Sequence, residues 1–250
     1  MYFDTHAHYD HDWFDEDREE LLKSMPEAGV SLIVVPGCDR ESSETAISLS
    51  ERFSFVYAAA GWHPHDASKM ESDGESFLQN SAGKIVAIGE IGLDYHYDYS
   101  PRETQRDVFS RQMALSIEMN LPVIIHDREA HGDCMEIVRR YAGARGVFHC
   151  YSGSEEMAAE ILKLGYFISF AGPVTFKNAR RSLEVVKALP MERILIETDA
   201  PYLTPEPFRG KRCDSTHVQY TAKAIAEAKG VDIGELAEIT MANGKRLFGI

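Results

Sequence analysis

The chain opens Tyr2-Phe3-Asp4-Thr5-His6-Ala7-His8, and the reading of these seven residues decides the fold. In an extended strand successive side chains alternate faces, so Asp4, His6 and His8 point one way and Phe3, Thr5 and Ala7 the other. Two imidazoles two residues apart on one face can grip the same cation, and a nearby carboxylate can join or orient them. An apolar run that ends in such side chains is a design the chain then repeats.

Eight short runs have strand character: Tyr2–His8, Ser31–Gly37, Phe55–His63, Lys84–Leu93, Leu121–Asp127, Gly146–Cys150, Tyr166–Gly172 and Arg193–Asp199. Several are apolar almost without a break (Leu32-Ile33-Val34-Val35, Val123-Ile124-Ile125, Ile194-Leu195-Ile196), as in parallel strands covered on both faces. Helical segments lie between them. Ser100-Pro101-Arg102-Glu103 predicts a capping box with Pro at the first helical position, after which Phe109, Met113 and Ile117 share one side. A second helix is predicted over Glu155–Lys163, stopped by Gly165. Two more, Thr216–Lys229 and Ile233–Leu247, are separated by Gly230, with Asp232 and Glu235 placed to cap the last. Strand and helix alternating eight times predict an α/β fold, the (β/α)₈ TIM barrel. No linker or shift in composition cuts the chain, so residues 1–250 are expected to form a single domain. A doubly wound open sheet would favour a glycine-rich phosphate loop after the first strand, where this chain has His8-Tyr9-Asp10-His11.

In a barrel the C-terminal strand ends face the reaction site. Here they carry His6 and His8, then His63, Glu90, His126, His149 and, last, Glu197-Thr198-Asp199. Carboxylates buried at a barrel mouth are costly unless paired, and divalent cations are their natural partners. Four histidines and two carboxylates suffice for two cations sharing one carboxylate. Mixed nitrogen and oxygen donors suit Zn²⁺, Mn²⁺ or Fe better than a Mg²⁺ cage.

Composition narrows the function classes. A formal charge of −14 over 250 residues argues against a broad basic surface tracking a nucleic-acid backbone, although a local phosphate site is compatible with it. Cys38, Cys134, Cys150 and Cys213 form no CxxC pair, which argues against a zinc ribbon and demands no disulfide framework. The N-terminus lacks the basic and apolar regions of a signal peptide, and no apolar run is long enough to span a bilayer. Cytoplasmic residence, no membrane association and no obligate protein partner are therefore expected.

Several motifs together resemble the TatD family of metal-dependent deoxyribonucleases, within the wider amidohydrolase-type barrels. They are Asp4-Thr5-His6-Ala7-His8, Gly61-Trp62-His63-Pro64-His65, Gly89-Glu90-Ile91-Gly92-Leu93-Asp94, Pro122-Val123-Ile124-Ile125-His126-Asp127-Arg128, His149-Cys150-Tyr151-Ser152-Gly153, Glu197-Thr198-Asp199-Ala200-Pro201-Tyr202, Arg209-Gly210-Lys211-Arg212 and Asn243-Gly244-Lys245-Arg246-Leu247-Phe248. The resemblance implies a two-metal nuclease that removes nucleotides from single-stranded DNA or DNA ends. His6, His8 and Asp199 would hold one divalent ion (Zn, Mn, Mg or Fe), His126 and His149 the other, and Glu90 would bridge. The expected catalytic residues are Asp199, as proton acceptor, Glu90 and His63, the last at the mouth touching substrate or equally bracing its loop. Arg128, Lys211 and Arg212 are the expected phosphate grips, since a guanidinium fork matches phosphate. After Arg212 the chain departs from the family, with Cys213-Asp214-Ser215 where Asn-Glu-Pro is common. Tyr95-His96-Tyr97, following Asp94, suits either stacking a base or covering the core. The alternative activity on the same scaffold is hydrolysis of an ester, amide or aminoacyl-tRNA linkage.

Overall fold

Each apolar run forms a strand, and each strand pairs in parallel with the next. The computed structural model describes residues 1–250. Its strands are β1 (Tyr2–Asp4), β2 (Val30–Pro36), β3 (Val56–Ala60), β4 (Ile85–Asp94), β5 (Val123–Arg128), β6 (Gly146–Phe148), β7 (Phe167–Phe170) and β8 (Ile194–Ile196), hydrogen-bonded in that order. The helices are α1 (Arg18–Ser24), α2 (Arg40–Arg52), α3 (Gly74–Asn80), α4 (Arg102–Glu118), α5 (His131–Arg140), α6 (Glu155–Lys163), α7 (Arg180–Ala188), α8 (Val218–Lys229) and α9 (Ile233–Phe248). This is the expected TIM barrel.

Its lumen is a packed core. Phe3, Val34, Ala59, Ala87, Ile124, Val147, Phe167 and Leu195, one residue from each strand, form a buried cluster that Leu247 and Phe248 of α9 complete. A side chain at Gly244 would meet the Phe3 ring at 2.6 Å, so α9 can lie flat against β1. With the strand starts plugged in this way, only the opposite mouth is open to chemistry. No helix is long and apolar enough to cross a membrane.

Three local expectations need correction. Several strands are shorter than their apolar runs: β1 stops at Asp4, β6 at Phe148 and β8 at Ile196. The backbone beyond β1 divides its bonds between two neighbours. Thr5 N–H donates to Ile196 O and His8 N–H to Ala200 O, whereas Ala7 N–H donates to Val34 O. The ladder ends, but the alternation of side chains persists, and these bonds close the seam between β8 and β1. Ser100 does not cap α4. Its hydroxyl donates to His65 O at 2.9 Å and accepts from Ser68 N–H at 3.0 Å, and Pro101 occupies the cap position without a side-chain bond. Finally, Ile117 is 42% exposed; the buried face of α4 includes Gln105, Val108, Phe109, Gln112 and Met113.

Candidate metal centre

Glu90 lies at the middle of the mouth, carried by β4 between two glycines. Gly92 pairs with His126 across the β4–β5 ladder. Its φ is +142°, and a Cβ there would fall 2.0 Å from His126 O. Only glycine lets the two strands approach this closely. Glu90 Oε1 lies 2.6 Å from His126 Nδ1 and 2.7 Å from His149 Nε2. Glu90 Oε2 faces the other way, 3.2 Å from His6 Nε2 and 3.4 Å from His8 Nε2. Asp199 Oδ1 is 3.6 Å from both of these nitrogens. Asp199 has φ +59°, a left-handed turn that takes its side chain out of the run of β8.

The donor set fits divalent cations. His6 Nε2 and His8 Nε2 are 3.0 Å apart, and at least one of two neutral imidazoles facing head-on must present a lone pair. Metal–ligand bonds of about 2.0–2.1 Å in a tetrahedron put neighbouring donor atoms about 3.3 Å apart. The 3.0, 3.2, 3.4 and 3.6 Å separations around His6 and His8 bracket that spacing. The Glu90 Oε1, His126 and His149 group is tighter, and His63 Nε2 stands 3.5 Å from the same oxygen. His63 Nδ1 accepts the His65 N–H, which leaves the ring proton on Nε2, facing the site.

Electrostatics keep both acids charged. Burial alone would raise the Glu90 carboxyl, but His149, His63 and His6 hold it well below the usual carboxylate range. Asp199 follows the same pattern, with burial offset by His8, His6 and His149. Burial lowers His63 to about 4 and also lowers His6, so both rings are neutral at pH 7.

Carboxylates stand behind three of the four ring nitrogens turned away from the centre, of which only His126 Nε2 hydrogen-bonds its carboxylate; His6 Nδ1 is buried without a partner. His126 Nε2 lies 3.3 Å from Asp94 Oδ2, and His149 Nδ1 lies 3.3 Å from Glu197 Oε1. His8 Nδ1 lies 3.7 Å from Asp10 Oδ1. A carboxylate behind a ligating imidazole fixes its tautomer and raises its basicity. Asp4 does not reach the centre. It accepts from Thr198 N–H and Oγ1 at 2.9 and 2.6 Å, tying β1 to the Asp199 turn, and burial pushes its carboxyl up to about 7.

Two glutamines of α4 hold this side of the mouth in place. Gln112 accepts from Trp62 N–H at 2.8 Å and donates to Trp62 O at 3.0 Å, next to His63. Gln105 accepts from Asp94 N–H at 2.9 Å and donates to Asp94 O and Ser100 O at 3.1 and 2.8 Å. Seven residues apart, they share a helix face and pair with backbone as a neighbouring strand would.

The structure thus brings His6, His8, Glu90, His126, His149 and Asp199 together, with His63 beside them. The expected phosphate grips separate. Arg128 sits over the Tyr97 ring at 4.9 Å and forms no ion pair; Lys211 Nζ lies over Phe208. Arg212 is tied to its neighbours in the fold. Its guanidinium makes a two-pronged pair with Asp17 at 2.8 and 2.5 Å, donates to Trp13 O at 2.7 Å and stacks on Phe14, so three of its five donors are engaged within the fold. Asp94, Glu197, Asp10 and the two glutamines carry roles that sequence reasoning did not assign. The signal for the first two was available, since each shares a strand end with a predicted ligand.

A family model described as TatD related DNase matches residues 3–249. The chain is 47% identical over 254 residues to the Bacillus subtilis protein named uncharacterized metal-dependent hydrolase YabD, with 100% of each chain covered. It is 33% identical to a Pectobacterium parmentieri protein named 3'-5' ssDNA/RNA exonuclease TatD, covering 98% of each. Among solved structures, YJJV, a TatD homolog from Escherichia coli, superimposes with a TM-score of 0.93 at 31% identity, covering 100% of this chain and 98% of that one.

Proposed function

The chain belongs to the TatD-related DNase family and is a metal-dependent hydrolase, and from that premise we propose that it is a deoxyribonuclease removing nucleotides from single-stranded DNA ends. The observation that supports this most is Glu90, which turns one oxygen to each of two histidine pairs. In this reading His6, His8 and Asp199 hold one divalent ion, His126 and His149 a second, and Glu90 is shared. Residues 1–250 act as one cytoplasmic domain, in keeping with four unpaired cysteines. The names of the exonuclease relatives support a single-stranded nucleic acid as substrate.

Cations so held supply Lewis acidity toward water and toward phosphate oxygens. The chain's own residues handle the proton and the substrate. Asp199 is ionised and more accessible than Glu90, with 15% against 3% of its side chain exposed, which suits it to take the proton of the attacking water. As that water's oxygen bonds to phosphorus, the bond from phosphorus to the leaving sugar oxygen breaks, and the sugar oxygen takes a proton from solvent. His63, neutral and with its proton on Nε2, offers a hydrogen bond without adding charge. Asp94 fixes the ring of His126 through a hydrogen bond to Nε2, and Glu197 places a carboxylate beside that of His149. Arg128, free of any carboxylate, is the best placed guanidinium for a phosphate oxygen; Lys211 is a second cation for that purpose.

The test is turnover of an end-labelled single-stranded oligonucleotide with Mn²⁺, Zn²⁺ or Mg²⁺, beside a panel of small esters and amides. Wild-type protein should shorten the oligonucleotide and stop when chelator is added. Glu90→Gln should retain its circular dichroism spectrum and lose at least a hundredfold in rate. Undiminished cleavage by Glu90→Gln removes the site assignment; turnover confined to the ester and amide panel replaces the nuclease with the alternative hydrolase.

A further inference from the structure

Four aromatic side chains of this molecule are exposed: Trp13 (55%), Tyr97 (45%), Tyr99 (68%) and Tyr202 (41%). All four rim the mouth, as two pairs on opposite sides of the metal-binding cluster. Trp13 and Tyr202 have ring centroids 5.7 Å apart. Tyr202 follows Asp199 in the same turn, its N–H donating to Asp199 O, and its ring is 6.5 Å from that of His8. Tyr97 and Tyr99 stack at 5.3 Å with an interplanar angle of 21°. The Tyr97 N–H donates to Asp94 Oδ1 at 3.0 Å, and the Tyr99 ring is 4.7 Å from His65, which itself contacts Asp94. One pair is thus fastened to the His8 and Asp199 half of the centre and the other to the Asp94 and His126 half.

Resting on the nuclease reading, we infer that these pairs are nucleobase platforms, one on each side of the scissile phosphate, and that they confine the substrate to a strand end with unpaired bases. A chain of formal charge −14 gives a polynucleotide little electrostatic affinity, and of the three expected basic grips Arg212 is taken up by Asp17. Arg128 and Lys211 leave much of the binding to other contacts, and base–aromatic stacking is indifferent to net charge. Stacking also requires bases free of a complementary strand, so the platforms select single strands without any base-specific hydrogen bond. Both sides are braced for the task. Arg212 donates to Trp13 O and fixes that segment, while Arg128 backs Tyr97.

The chain has a built-in reporter, because its other tryptophan, Trp62, is only 1% exposed. Trp13 emission is titrated with a short oligothymidylate in the presence of chelator, and with an abasic oligomer of the same length. The thymidylate should quench it and the abasic strand should not. By anisotropy of a labelled oligomer, Trp13→Ala and Tyr99→Ala should each weaken binding about five- to a hundredfold, the range that loss of one stacked base gives. Trp13→Phe should restore it, and thermal melts of the variants should match wild type. Equal affinity for the abasic strand, or alanine variants within twofold of wild type, overturns the platforms. The two readings fail separately: an oligomer that is bound but never cleaved sinks the nuclease assignment, and one cleaved equally well by the alanine variants sinks the platforms.

Discussion

Gln105→Leu tests whether α4 holds the metal-binding mouth together through side-chain amides. The substitution removes three hydrogen bonds of 2.8–3.1 Å and leaves Asp94 N–H, Asp94 O and Ser100 O without those partners. Gln105 is fully buried, so water cannot take its place unless the strand end opens. Each stranded group costs about 1–3 kcal/mol. Relaxation at the end of β4 favours the lower figure, which puts the total near 3 kcal/mol. At about 2–4 °C per kcal/mol for a chain of this size, the melting temperature should fall by about 6–12 °C. Gln112→Leu strands two groups, Trp62 N–H and O, and should cost about two-thirds as much by the same arithmetic. The assay is differential scanning fluorimetry in chelator, which isolates the fold from any bound ion, with exposed Ile117→Leu as control. A shift below about 2 °C for Gln105→Leu, or no difference between it and the Ile117 variant, would refute the reasoning.

Arg212→Ala should loosen Trp13 without removing a phosphate contact, so the salt dependence of oligonucleotide binding should be unchanged. A log–log slope shallower by about 0.7, the signature of one lost contact on a single strand, would return Arg212 to the phosphate. The Asp214 carboxylate, 3.5 Å from His217 Nδ1, raises the imidazole from its ordinary value. A raised folded pKa stabilises fully below the unfolded value of about 6.5 and fades as pH climbs through the folded value. The melting-temperature advantage of wild type over His217→Phe should therefore be larger at pH 5.5 than at pH 9, and a difference independent of pH would remove the ion pair from the account.

The barrel was legible because its signal is local. Apolar runs of the right length recur, and six of the eight carry His, Glu or Asp toward their ends, where a parallel strand would be expected to continue apolar. His6 and His8 could be placed on one face from spacing alone. Partners distant in sequence were a different matter. Gln105 and Gln112 read as ordinary polar helix residues, since nothing near them names the backbone they meet. Arg212 has the fork that phosphate prefers, but a carboxylate presents the same geometry, and Asp17 lies 195 residues away. Ser100 followed by Pro101 has the composition of a cap, yet its hydroxyl is claimed by the His65 loop. In each case residue type was informative about chemistry and silent about which of two equivalent partners tertiary packing would supply.

The seam between the last strand and the first has a consequence for biosynthesis. Asp4 and Thr198, which meet across it, are separated by 194 residues. At about 5–20 residues per second, the opening histidines leave the ribosome about 10–40 s before the turn that bears Asp199 exists. A growing polypeptide therefore lacks part of the metal-binding cluster until that turn emerges. The donors of the first strand meet those of the last only when the two ends of the chain close on each other.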